Sequence, residues 1–144
     1  MGNEPLWYLT KDGDRSCLEL FRRHYSCKNR NPKQSQFVGP GEHIVLRTDL
    51  GDAVFVWRYA VYRADGQKGV ECSLFRNESS LLSSELVRQA DAIADHCWPG
   101  KRHYTFVDPA AVRSSNPGFC FIAAGWRKSG VSKGGKLILD LKSH

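Results

Sequence analysis

The feature that most constrains this chain is a helical segment between two strand-like runs. Within residues 83–97, apolar side chains recur three or four positions apart and form one stripe, as in an amphipathic helix. A Trp-Pro-Gly stop at 98–100 ends this segment. Residues 69–76 and 104–107 flank it as runs rich in apolar and aromatic residues. A strand, a helix and a strand in this order predict a βαβ crossover between parallel strands of one sheet.

The rest of the chain predicts further strands and helices around that unit. Strand-like runs at 43–48, 53–62 and 69–76 are separated by two turn signals and therefore predict an antiparallel meander. We also expect a strand at 6–10, helices at 15–25 and 117–124, and a last strand at 136–141. The 144 residues suffice for one hydrophobic core. We therefore expect a single domain over residues 1–144, of α/β or α+β class, with a mixed, mostly antiparallel sheet and flanking helices.

Positive charge is concentrated in two stretches that contain no acidic residue. The formal net charge is +6, and the acid-free stretches cover residues 20–41 and 109–139. Their cations favour a polyanionic partner such as double-stranded DNA, although ordinary solvated loops have the same composition. The cations that we expect to contact DNA are Arg22, Arg23, Lys28, Arg30, Lys33, Arg127 and Lys128.

Cysteine usage and the lack of long apolar segments bear on the compartment. Five cysteines without a Cys-x-x-Cys pair predict neither a disulfide framework nor a zinc knuckle, which suits a reducing environment. No segment approaches the ~20 apolar residues that span a bilayer. The first residues contain no cationic region followed by an apolar run. We therefore expect a cytoplasmic protein without a membrane partner.

Several short sequence words resemble known proteins. Residues 116–130 (NPGFCFIAAGWRKSG) look like the C-terminal segment of acyl-CoA N-acyltransferases of the GNAT type, whose order of strands and helices also matches the predicted one. More particular words resemble the phage Mom-like proteins, and they extend this resemblance over most of the chain. These words are RHYS at 23–26, FVGPG at 37–41, FRNE at 75–78, SSEL at 83–86 and YTFVDP at 104–109.

The resemblance implies a function and a set of site residues. Mom-like proteins add a carbamoylmethyl group to the exocyclic amine of adenine in DNA, which shields phage DNA from restriction in the bacterial cytoplasm. By this resemblance the catalytic residues are His24, Tyr25, Arg76, Ser83, Ser84 and Asp108. The residues expected to bind the donor are Asn77, Ser84, Asn116 and Phe119. Iron has been proposed for such proteins, and His24 with Asp108 would supply one nitrogen and one oxygen ligand.

One departure from the GNAT pattern bears on the donor. Acetyl-CoA enzymes of this type carry glycines before the crossover helix, so that bare backbone amides reach the pyrophosphate. Here residues 76–84 (RNESSLLSS) contain no glycine. We therefore expect an acyl or aminoacyl donor other than acetyl-CoA.

Each candidate residue also has a structural interpretation. Ser83 or Ser84 would cap the crossover helix, Arg76 would form a salt bridge, and Asp108 would shape a turn. Phe119 is more typical of a core position. Cys120 follows the helix start at Pro117, where the helix dipole would lower the pKa of its thiol, and only this position makes it a candidate nucleophile.

Two other functions fit the same sequence. The first is an N-acyltransferase that acts on a small amine or on a protein amine. The second is a noncatalytic DNA-binding or anti-restriction protein on a GNAT-like scaffold.

Overall fold

The computed structural model describes residues 4–24, 35–61, 63, 65–111 and 118–142. Within them the chain forms an α+β fold, with one seven-stranded sheet and three helices. In chain order these are β1 (Tyr8–Thr10), α1 (Arg15–Arg22), β2 (Glu42–Arg47), β3 (Ala53–Tyr59), β4 (Val70–Asn77), α2 (Ser83–Cys97), β5 (His103–Val107), α3 (Phe119–Ala123), β6 (Arg127–Val131) and β7 (Leu137–Leu141). The strand order across the sheet is β1-β2-β3-β4-β5-β7-β6.

The meander and the crossover predicted from the sequence are both present. Neighbouring strands among the described residues are antiparallel except β4 and β5, which run parallel and are joined through α2. The sheet is therefore mixed and mostly antiparallel, as expected. The predicted strand at 53–62 is shorter in the structure and ends at Tyr59, and the helix predicted at 15–25 ends at Arg22.

Strand β6 was missed by the sequence analysis, which placed residues 127–131 in a basic tract. All five of its residues are exposed because β6 is the edge strand of the sheet. An exposed edge strand has no alternation of buried and exposed side chains, so the signal that identifies most strands is absent.

Helix α2 is held against one face of the sheet by tryptophans as well as by apolar packing. Trp7 donates its indole N–H to the Leu86 carbonyl at 2.8 Å, and Trp57 donates to the Ala90 carbonyl at 2.9 Å. Trp126 donates to the carboxylate of Asp91, also at 2.8 Å. These buried donors would be costly without acceptors, so they fix the position of α2 along the sheet. None of the described helices is long and apolar enough to cross a membrane.

Helix α1 covers part of the opposite face of the sheet. Its buried residues Cys17 and Leu20 pack on Val45, Val56 and Leu74 of the meander. Asp14 caps the helix by accepting the Cys17 amide at 3.1 Å. Among the described elements, α1 contacts β3 and β4 most, so the same face of β5, β7 and β6 is left without a helix.

The start of the β4–β5 pair requires a glycine. Gly69 precedes β4 with φ +120°, and a β-carbon there would collide with the main-chain carbonyl of Arg102. The Val70 amide donates to that same carbonyl at 2.7 Å. Glycine therefore allows the two parallel strands to start in close contact.

Candidate active site between two parallel strands

The candidate site lies where the parallel strands β4 and β5 separate. Their register runs from Val70 opposite His103 to Cys72 opposite Thr105 and stops there, although β4 continues to Asn77 and β5 to Val107. The Thr105 hydroxyl donates to the Cys72 carbonyl at 2.8 Å and closes the paired part. Beyond it, the β5-facing edge of β4 borders an opening in the middle of the sheet.

This opening, which we call the cleft, has a volume of about 130 Å³. It is lined by His24, Glu71, Cys72, Ser73, Leu74, Phe75, Thr105, Phe106, Val107, Phe121 and Lys136. Six of these side chains are apolar, while Ser73 and Thr105 carry hydroxyls and His24, Glu71 and Lys136 are ionisable. The cleft is smaller than the roughly 300–1,000 Å³ of sites for drug-sized ligands, so it suits a group of a few atoms with polar contacts.

Ser73 is placed in the cleft by a β-bulge. Cys72 pairs with Trp57 of β3 and Leu74 pairs with the preceding Val56, so Ser73 is an additional residue on β4. Its Oγ is buried and has no hydrogen-bond partner among the described residues. Because a buried hydroxyl without a partner is costly, this Oγ is a candidate to bind a ligand atom in the cleft.

His24 follows the last turn of α1, where its amide donates to the Phe21 carbonyl at 2.9 Å. Burial, together with the positive charge of nearby Arg76, lowers the pKa of His24 to about 4. The imidazole is therefore neutral near pH 7, and a neutral imidazole can accept a proton. The structure places this predicted site residue in the wall of the cleft.

Arg76 and Arg23 are both bound to the carboxylate of Glu78. Arg76 Nε lies 2.6 Å from Glu78 and Arg23 Nε lies 2.9 Å from it. Arg76 also donates to the main-chain carbonyl of Arg23 at 3.0 Å. Hydrogen bonds from Arg23 and then Arg76 lower the pKa of Glu78 to about 2. Arg76 therefore forms the salt bridge that the structural interpretation of this residue predicts. It also lies close enough to His24 for its positive charge to lower the pKa of the imidazole.

The serines at the start of α2 do not cap the helix. Leu82 is the N-cap and makes no side-chain capping bond, which places Ser83 and Ser84 inside the first turn. The prediction that one of them caps the helix is therefore wrong. Ser83 accepts a hydrogen bond from the Asn77 side-chain amide at 2.8 Å, and Ser84 is buried. The same amide donates to the Leu81 carbonyl, so Asn77 organises the turn before α2.

Asp108 shapes the turn after β5, as its structural interpretation expects. Its carboxylate accepts the Ala110 amide at 3.0 Å. Within the described ranges, no group of three or more His, Cys, Asp or Glu side chains is arranged to hold a metal ion. His24 and Asp108 alone do not supply the ligand set that iron needs.

The cations expected to contact DNA differ in their surroundings. Arg23 pairs with Glu78, and Arg127 Nε lies 3.1 Å from the buried carboxylate of Asp140. Arg22 is half-buried on α1, and Lys128 is exposed on β6. The remaining predicted site residues, which are Tyr25, Lys28, Arg30, Lys33 and Asn116, lie outside the described residues.

The residues at 119–121 on helix α3 differ in burial and only partly match their structural interpretations. Phe119 is 57% exposed, so it is not a core residue, whereas Phe121 is buried and lines the cleft. Burial raises the pKa of the Cys120 thiol to about 11. This is the opposite of the lowering that a nucleophile needs, so the structure argues against that interpretation.

Sequence reasoning missed Ser73, Phe106 and Lys136 as residues of the cleft. Ser73 follows the regular alternation of apolar and polar residues over 70–74 (VECSL), so the sequence carries no signal of the bulge. Lys136 belongs to the second acid-free stretch but was not singled out there.

No protein-family model, no curated protein and no solved structure matches this chain.

Proposed function

We propose that this chain is a transferase that modifies the exocyclic amine of adenine in DNA and holds its donor in the cleft. One observation carries the proposal: the separation of two parallel strands creates a cavity in the sheet, with a neutral imidazole in its wall. The resemblance to GNAT-like enzymes supports it, because that resemblance implies a substrate cleft lined by the strand that ends in Arg76, Asn77 and Glu78. This strand is β4, which borders the cleft.

The cleft residues suit attack by an amine on an electrophilic carbon of the donor. The adenine nitrogen forms a bond to that carbon, the bond from the carbon to the leaving group breaks, and the amine loses one proton. The neutral imidazole of His24 accepts this proton. The Ser73 hydroxyl donates a hydrogen bond to the carbonyl oxygen of the donor, which gives this buried Oγ a partner.

The turn before α2 limits the chemistry of the donor. Residues 76–84 contain no glycine, and side chains rather than bare amides fill this turn, with Asn77 bonded to both Ser83 and Leu81. A pyrophosphate needs exposed backbone amides at a helix N-terminus, so the turn favours a small acyl or aminoacyl donor without a diphosphate. No step of the reaction is assigned to iron, because the described residues do not form its ligand set.

The adenine amine is base-paired in a duplex, so the base must be extruded before it reacts. Cations of the two acid-free stretches would hold the phosphates around the extruded nucleotide. Lys128 on β6 is one such exposed cation.

Mass spectrometry of nucleosides tests this proposal against its two rivals. The protein is expressed in bacteria, and the cellular DNA is digested and compared with DNA from cells that carry the empty vector. The proposal predicts a heavier deoxyadenosine. An N-acyltransferase predicts unchanged DNA and thermal stabilisation by acetyl-CoA, whereas a noncatalytic DNA-binding protein predicts unchanged nucleosides and salt-dependent DNA binding.

A further inference from the structure

A second cavity of about 550 Å³ lies beside the cleft, under the hairpin of β6 and β7. We call it the hairpin pocket. Besides Asp65, Gln67 and Gly134 at its rim, it is lined by Phe106, Val131, Ser132, Lys133, Lys136 and Ile138. The volume lies in the range of small-ligand sites, roughly 300–1,000 Å³.

Paired residues of three neighbouring strands border the hairpin pocket. Phe106 of β5 pairs with Ile138 of β7, and Ile138 pairs with Gly130 of β6, so these residues form one row across the sheet. Because Gly130 has no side chain, only Phe106 and Ile138 contribute side-chain atoms to this row. Val131 at the wall is 65% exposed, which leaves apolar surface open to a ligand.

Lys133 and Lys136 line the pocket from the turn between β6 and β7. The Ser132 amide donates to the Lys136 carbonyl at 2.8 Å, and the Lys136 amide donates to Ser132 Oγ at 3.1 Å. The turn therefore fixes the main chain from which Lys133 and Lys136 project. Asp65 is the one acid among the described lining residues, and it pairs with Arg63 at 2.6 Å, so the two lysines favour an anionic group in the pocket.

The hairpin pocket and the cleft are adjacent, because Phe106 and Lys136 line both. A planar group on Phe106 would therefore lie next to a donor in the cleft. An aromatic ring and two cations in one pocket suit a nucleotide, whose base stacks on the ring and whose phosphate meets the ammonium groups.

We infer that the hairpin pocket binds one nucleotide of single-stranded or locally unpaired DNA, with its base on Phe106 and its flanking phosphates at Lys133 and Lys136. As the site of the acceptor nucleotide this inference rests on the proposed function. The binding itself does not require that function to be correct.

Binding of a short fluorescein-labelled oligodeoxyadenylate, followed by fluorescence anisotropy over a range of salt concentrations, tests the inference. The double variant Lys133→Ala/Lys136→Ala should lower the slope of log affinity against log salt by about 1.4, since each phosphate contact on single strands contributes ~0.7. Phe106→Leu keeps an apolar side chain but removes the ring, and it should weaken binding by about tenfold. Lys11 is exposed directly after β1, at the edge of the sheet opposite β6, so Lys11→Ala should leave both values within experimental error.

Thermal melting of each variant shows that it is folded before its binding is compared. The inference is overturned if the wild-type protein does not bind the oligonucleotide, or if the pocket variants bind as Lys11→Ala does. A protein that binds through the pocket while cellular DNA stays unmodified would refute the proposed function alone. Conversely, DNA that is modified to the same extent by wild type and by the pocket variants would refute the hairpin pocket as the site of the acceptor nucleotide. That result would leave the proposed function intact.

Discussion

The half-buried imidazole of His24 makes stability depend on pH in a way that one substitution should remove. Its pKa falls from the ordinary 6.5 in the unfolded chain to about 4 in the folded protein. Between these values the unfolded chain binds a proton that the folded protein does not. The free energy of unfolding therefore decreases as the pH falls from 6.5 towards 4, and His24 contributes no such loss above that window.

The size of this effect follows from the two pKa values. Each pKa unit corresponds to ~1.36 kcal/mol, so the full penalty is ~3.4 kcal/mol well below pH 4. Between pH 7 and pH 4.5 the linkage relation gives ~2.5 kcal/mol. The His24→Gln variant lacks this group and should lose ~2.5 kcal/mol less than the wild type over the same interval.

Urea unfolding followed by tryptophan fluorescence, at pH 7 and pH 4.5, measures the difference directly. Groups other than His24 titrate in both proteins and cancel in the comparison. The variant His96→Gln removes an exposed imidazole from α2 and controls for the loss of a histidine as such. An equal loss of stability in His24→Gln and wild type would show that the pKa of His24 is not lowered in the folded protein.

Two further predictions concern the frame that positions the cleft. Gly69→Ala should lower the free energy of unfolding by several kcal/mol, because its β-carbon collides with a main-chain carbonyl, whereas Gly66→Ala has no atom within 4 Å and should cost only ~1 kcal/mol of backbone strain. Chemical denaturation checks this, and equal losses would refute the close contact. Asp91→Ala should cost ~3 kcal/mol, because Trp126 and the buried His103 lose their partner. Asp95 lies 3.2 Å from the other ring nitrogen of His103, but its carboxylate is 60% exposed, so Asp95→Ala should cost less than ~1 kcal/mol. Similar melting temperatures for these two aspartate variants would contradict the assignment.

The fold could be predicted from the sequence where local patterns match the final structure. The apolar stripe of residues 83–97 indicates a helix that packs on a sheet, and it correctly predicts α2. With the strand-like runs on either side, it also predicts the parallel pair β4 and β5. Strand β6 could not be predicted in this way, because its five exposed residues lack periodicity. Its position depends on pairing with β7, which is a contact between segments and not a property of either one.

The candidate site was predictable in part. His24 was identified from a sequence word, and the structure places it in the cleft. The cleft itself was not predictable, since it depends on where two strands stop pairing and on the bulge at Ser73. The pairing of Arg23 with Glu78 joins positions 55 residues apart, so the charge tract alone could not show which cations are neutralised.

The central claim is that the cleft holds the donor and that His24 takes the proton of an adenine amine. The most direct measurement is the fraction of modified deoxyadenosine, by nucleoside mass spectrometry, in DNA from cells that express wild type, His24→Gln, Ser73→Val or the exposed control Lys11→Ala at equal levels. Wild type and Lys11→Ala should give the same modified fraction, and the two cleft variants should give at least tenfold less. Unmodified DNA from wild-type cells, or undiminished modification by both cleft variants, would contradict this account.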